Sequence, residues 1–161
     1  MPRRPVASLL RLKRMGPVAE LPSLPVCEVL AELSEKLLVR RAAVLVAPPG
    51  AGKTTLVPLH LLQTLHRDDN QTILMLEPRR LAARTAAHRM ADILSEPPGE
   101  RVGYAMRLER RVGKNTRILV VTEGVLQRMI LDNPELPGIG TIIFDEFHER
   151  SLDGDFGLAL T

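Results

Sequence analysis

Nine consecutive residues, Ala47-Pro48-Pro49-Gly50-Ala51-Gly52-Lys53-Thr54-Thr55, join an apolar run to a helical pattern. Phosphate oxygens need backbone N–H groups that point inward with no side chain in the way, which Gly50 and Gly52 allow, and the helix that follows adds its positive dipole end. Lys53 is placed to meet the terminal phosphates of a nucleotide, and the Thr54 hydroxyl to ligate magnesium. Pro49, Gly50, Ala51, Gly52, Lys53, Thr54 and Thr55 are therefore the candidate nucleotide-binding residues. The usual pattern opens with glycine and this loop opens with Ala47, so the match is to its second, more demanding half. A second cluster, Asp145-Glu146-Phe147-His148, follows the apolar run Thr141 to Phe144. Asp145 suits a magnesium ion held through water, and Glu146 suits the orientation and activation of an attacking water. An acidic pair alone is an ordinary solvated strand end; beside Lys53 and Thr54 it becomes a candidate catalytic pair. By default His148 is a surface histidine and Phe147 a core residue.

These loops need strands before them and helices after them. Four short apolar runs predict buried strands: Ala42 to Val46, Thr72 to Leu76, Ile118 to Val121 and Thr141 to Phe144. Continuous apolar character predicts cover on both faces, and the helical patterns Thr54 to His66, Leu81 to Leu94 and Gly124 to Asp132 supply the crossovers of a parallel α/β sheet. Val102 to Met106 is a weaker fifth strand. Val26, Val29, Leu30, Leu33, Leu37 and Leu38 predict an amphipathic helix ahead of the sheet, ending before Arg40. Pro58, early in the helix after the glycine loop, removes a backbone bond there. Each polar cluster lies at the C-terminal end of a strand, the edge where open parallel sheets bind ligands.

Composition narrows the classes. The 161 residues carry 45% apolar and 25% charged side chains and a net charge of +3, enough apolar content for a folded core. Residues 1–23 hold five basic residues against Glu20 and read as a flexible basic arm, leaving 24–161 as one domain. With one cysteine, Cys27, no intramolecular disulfide is possible, and the four histidines are not spaced for structural zinc. No apolar run is long enough to span a bilayer, so the expectation is a soluble cytoplasmic protein without a membrane partner. Only Tyr104, Phe144, Phe147 and Phe156 are aromatic. A nucleic-acid partner would then be held through its backbone rather than by stacked bases.

Four motifs in order, Gly50-Ala51-Gly52-Lys53-Thr54, Glu77-Pro78-Arg79-Arg80-Leu81-Ala82-Ala83-Arg84, Thr122-Glu123-Gly124 and Asp145-Glu146-Phe147-His148, resemble the first RecA-like lobe of a DEAH-box superfamily 2 helicase. Phe147, where most of that group has alanine, is similar to the bacterial HrpB-type ATP-dependent helicases. The resemblance runs from about Leu24 to the chain end. It implies a RecA-like P-loop NTPase fold in which Gly50, Gly52, Lys53 and Thr54 bind ATP and magnesium. Asp145 and Glu146 then support hydrolysis, with His148 coupling the site to a second lobe. It also implies Arg79 and Arg80 near an RNA backbone, Thr122 and Gly124 in a second backbone contact, and Arg89 stacked on adenine. RNA is the expected polynucleotide, ahead of DNA.

Read without the resemblance, several of these residues keep two meanings. Arg79 and Arg80 suit a phosphate-gripping pair or a solvated helix start, Thr122 an RNA contact or a plain helix N-cap, and Arg89 an exposed helix position. Arg107, Arg110, Arg111, Lys114 and Arg117, with one acid, Glu109, form either a backbone-facing surface or a solvated hairpin, and the hairpin is the expectation. The arginine finger, the serine-alanine-threonine motif and the arginine-rich last motif of the family have no counterpart in these 161 residues. The expectation is half a motor whose final helix, beginning near Ser151, is cut short. Rival classes are a small P-loop kinase and a nucleotide-binding interaction module.

Overall fold

The computed structural model describes residues 21–66 and 71–146. Most of the arm expected over 1–23, together with Phe147, His148 and the helix expected from Ser151, lies outside the described residues. Nine elements follow in order: α1 (Cys27–Arg40), α2 (Lys53–Thr64), β1 (Thr72–Leu76), α3 (Arg80–Ile93), β2 (Val102–Met106), β3 (Glu109–Arg111), β4 (Ile118–Val121), α4 (Glu123–Asp132) and β5 (Ile139–Phe144). They make a five-stranded sheet of order β3-β2-β4-β1-β5. β2, β4, β1 and β5 run parallel, while β3 returns antiparallel to β2. The sheet is therefore mixed, where the sequence predicts a parallel one, because the basic stretch after β2 folds back as a hairpin instead of crossing over.

Burial follows position in the sheet. β1, β2 and β4 are almost wholly buried, as continuous apolar runs require when helices cover both faces. One face packs with α1, α2 and α3 around Leu56, Leu59, Ile73, Met75, Met90 and Ile118; the other packs with α4 around Leu74, Leu76, Val121, Leu126 and Ile130. β5, whose one neighbour among the described strands is β1, is half-buried. Pro58 is buried within α2, which continues through it.

One predicted strand is not there. Residues 42–46 form no strand, and Val44 and Val46 are 93% and 88% exposed. Leu45 and Ala47 turn toward the core cluster that Ile143 also joins, so inward and outward residues alternate. A strand needs a neighbour for its N–H and C=O groups, and none of the described strands pairs with this segment. An apolar run buried on both faces was the wrong expectation for a segment whose outer face nothing described covers.

Candidate functional site

The glycine loop sits where the sequence requires, at the start of α2. Gly50 and Gly52 have φ of 75° and 93°, a left-handed backbone that a side chain at Cβ disfavours, and a Cβ on Gly52 would also strike Leu24 at 2.7 Å. Gly52 is the N-cap of α2 and its carbonyl accepts from the Leu56 amide at 2.8 Å. Ala51 is buried, and its carbonyl accepts from the Val26 amide at 3.0 Å, which ties the loop to the head of α1. Lys53 is the first residue of α2, and its ammonium donates to the carbonyls of Ala47 at 2.6 Å and Pro48 at 3.0 Å. An ammonium has three donors, so one remains for an anion while two fix its position over the loop. Thr54 and Thr55 follow in the first turn, half-buried.

Three adjacent strands end side by side. Leu76 of β1 pairs with Val121 of β4 and with Phe144 of β5, so Glu77, Thr122 and Asp145 emerge in one row at the C-terminal edge. Backbone bonds hold the row: Glu77 N–H donates to Val121 O and Asp145 N–H to Leu76 O, both at 3.0 Å. One carboxylate oxygen of Asp145, Oδ1, accepts from the Glu146 amide at 3.0 Å. The other, Oδ2, is buried with no hydrogen-bond partner among the described residues. Glu146 takes a left-handed backbone, φ 48°.

A buried carboxylate oxygen without a donor suits a hydrated cation. Among the described residues no cluster of three histidine, cysteine or acidic side chains could cage a metal by itself. Thr54 and Asp145 offer the oxygen donors that magnesium takes, an ion that keeps several waters and shares its ligands with phosphate.

The arginine and threonine loops flank this row. Arg79 is the N-cap of α3 and exposed; its amide donates to Glu77 Oε1 at 3.4 Å. Arg80, also exposed, donates to the Arg107 carbonyl at 3.2 Å. Thr122 occupies the N-cap position of α4, yet its hydroxyl makes no capping bond and the residue is buried. Gly124 is exposed in the first turn of α4, and a Cβ there would meet nothing within 4 Å. Arg89 stands apart from the row. It is exposed on α3, nine residues past Arg80, and so about 14 Å further along the axis at 1.5 Å per residue.

Two carboxylates were passed over in the sequence. Glu77 is 3% exposed at the centre of the strand-end row; its signal was an acid directly after a buried run. Glu109 accepts from Tyr104 Oη at 2.9 Å and pairs with Arg84, which together hold its carboxyl below the usual range. Burial, then the Glu109 bond, pushes the Tyr104 phenol up. The signal for Glu109 was its being the lone acid in a basic stretch.

The DEAD/DEAH box helicase family matches residues 28–160. The chain is 56% identical to the ATP-dependent RNA helicase HrpB of Escherichia coli over 138 residues, 86% of this chain and 17% of that protein. It is 37% identical to the ATP-dependent RNA helicase HrpA of the same organism, covering 83% of this chain and 10% of that one. The pre-mRNA-splicing factor ATP-dependent RNA helicase DEAH10 of Arabidopsis thaliana is 36% identical, with 86% and 19% covered. Among solved structures, the E. coli DEAH/RHA helicase HrpB superposes with a TM-score of 0.80 over 86% of this chain and 17% of that one. The chain thus spans less than a fifth of the length of these relatives.

Proposed function

Because this chain belongs to the DEAD/DEAH box helicases, we propose that it is the lobe that binds ATP with magnesium, and that hydrolysis there drives movement along an RNA strand once a second lobe closes on it. The observation that carries the reading is Asp145 Oδ2, buried at the end of β5 with no partner among the described residues, in a chain whose α2 opens with a lysine-bearing glycine loop. Gly50, Ala51 and Gly52 would present amides to the phosphates and Lys53 its remaining N–H, with Pro49 and Thr55 shaping the two ends of the loop. Thr54 and Asp145 would hold magnesium, which supplies charge neutralisation to the phosphates. Glu146 would orient the attacking water and take its proton, and His148 would link the site to the second lobe. Arg89 is the candidate adenine contact, reaching in from α3.

RNA is assigned to the face carrying Arg79, Arg80, Thr122 and Gly124. Gly124 supports this independently of the resemblance. Neither space nor backbone requires a glycine there, and in a helix glycine costs about 1 kcal/mol against alanine. A backbone left bare at such a cost suits the close approach of another chain's backbone.

Fluorescence anisotropy with labelled single-stranded RNAs of several sequences tests the RNA assignment. Expected are sequence-indifferent affinity that falls steeply with salt and a uniform weakening in Arg80→Ala. A chain that binds magnesium and ATP but no RNA at low salt contradicts it. Transfer of phosphate to a small metabolite in excess of hydrolysis would favour a kinase instead.

A further inference from the structure

Three residues of α3 at four-residue intervals each touch the β2–β3 hairpin. Arg80 donates to the Arg107 carbonyl, Arg84 pairs with Glu109, and the His88 ring lies against that of Tyr104 with centroids 5.8 Å apart. Spacing of four puts them on one helix face. Hairpin register places the same face opposite: Tyr104 pairs with Arg111 and Met106 with Glu109, so Tyr104, Met106, Glu109 and Arg111 share the side that packs on α3. The turn itself, Arg107 and Leu108, is the two-residue loop that the Met106–Glu109 pair closes. Leu108 is 95% exposed and takes a left-handed backbone, φ 68°, which a leucine adopts only under constraint from its surroundings.

The hairpin register supplies that constraint, and the Glu109 side chain joins the hairpin to α3. Glu109 sits immediately after the turn, is the only acid among the basic residues from Arg107 to Arg117, and engages both Tyr104 and Arg84. An ion pair this exposed contributes little to stability, its side chains being 48% and 27% accessible. We propose that Glu109 is a positioning residue: it pins the Arg107–Leu108 turn to the start of α3, so that Arg80 and Arg107 present one preset pair of guanidinium groups to the phosphates of a bound strand. The role rests on the RNA reading above. Preset donors bind better than mobile ones because their ordering is completed on folding.

The test exploits a difference in sign. Glu109→Gln removes a negative charge from a basic surface, so electrostatics alone would tighten RNA binding. Positioning demands the opposite: affinity of the full 161-residue chain for single-stranded RNA should weaken roughly three- to ten-fold, the range for the loss of one ordinary hydrogen bond. The slope of log affinity against log salt should also shrink by about 0.7 for each phosphate no longer neutralised. Tyr104→Phe keeps the charge and the ring and should weaken binding about two-fold. ATP affinity should stay at the wild-type value in both variants. Partial unfolding would instead lower RNA and ATP binding together and leave the salt slope unchanged, which would overturn positioning. Unchanged or tighter RNA binding by Glu109→Gln would overturn it too, while wild-type binding left the RNA reading standing. No RNA binding by the wild type would remove the RNA reading itself, and this role with it.

Discussion

On the β2–β3 flank the polar side chains that leave the sheet are answered within the chain. Glu109 meets Tyr104 and Arg84, Arg101 meets Glu96 at 2.7 Å, and the Thr116 hydroxyl meets the Glu100 carbonyl at 2.9 Å. On the β5 flank Thr141 meets His66 at 2.8 Å, but one carboxylate is left open by the described residues. Asp145 keeps a buried oxygen without a donor, β5 is half-buried, and Val44 and Val46 stand in the open beside the glycine loop. A buried polar atom without a partner costs stability, so one that the described residues leave open calls for a further group to complete it. The contrast separates a preset surface from a site finished by its ligand.

The largest expected effect falls on the β5 flank. Lys53→Ala should weaken ATP binding about 100-fold, the worth of about 3 kcal/mol in charge-assisted bonds to phosphate, with RNA affinity nearly unchanged. Equal losses of both ligands would mean that the two flanks are not separable. Isothermal calorimetry and anisotropy on the same preparation give the two numbers.

Gly124→Ala should move two quantities in opposite directions. Nothing lies within 4 Å of the added Cβ, so urea denaturation should show a gain of about 0.5 to 1 kcal/mol in stability. RNA affinity should fall by a similar free energy, roughly three-fold, as the methyl intrudes on the strand's approach. A variant both more stable and tighter for RNA would remove Gly124 from the interface.

Acid should distinguish the flanks with the smallest effect. Burial is the main cause that lowers both His60, bonded to Ser34 across α1 and α2, and His66, bonded to Thr141 of β5, below the ordinary 6.5. Both are then neutral in folded and unfolded chains above pH 6.5, where their contribution is complete. As pH falls below 6.5 the unfolded chain takes up protons first, so stability is lost toward the lower folded values. Glu109 is also lowered, by Arg84 first and Tyr104 next, but from 4.5, so its contribution survives until more acid conditions. Protection factors from amide hydrogen exchange at about pH 7, 6 and 5, each corrected for the intrinsic rate at that pH, should therefore fall in α2 and β5 while those of β2 and β3 hold. A uniform fall across the sheet would contradict the division.

Much of the fold was legible because its signals are local. β1, β2 and β4 coincide with the apolar runs Thr72 to Leu76, Val102 to Met106 and Ile118 to Val121, and the glycine loop opens α2 as Gly50 and Gly52 imply. Residues 42–46 were misread because an apolar run says that a segment wants cover, not that a neighbour supplies it. The hairpin was expected of the basic stretch after β2, but its position was not: Arg107 and Leu108 carry none of the usual hairpin-turn residues, and the side chains bonded to the hairpin, Arg80 and Arg84, stand more than twenty positions earlier. Glu77 and Glu109 were missed likewise, since their importance lies in partners that only the folded chain brings near. No helix among the described residues is long and apolar enough to cross a membrane.

Asp145 marks the place where magnesium and ATP would complete the β5 flank, and on this the division between the flanks depends. A calorimetric titration of the chain with ATP, in magnesium and in chelator, beside Asp145→Asn, tests it most directly. Magnesium should strengthen ATP binding by about ten-fold or more in the wild type and have no such effect in Asp145→Asn, whose affinity in chelator should equal that of the wild type. Binding of ATP that is equally strong with and without magnesium, or a magnesium effect that survives in Asp145→Asn, would contradict it.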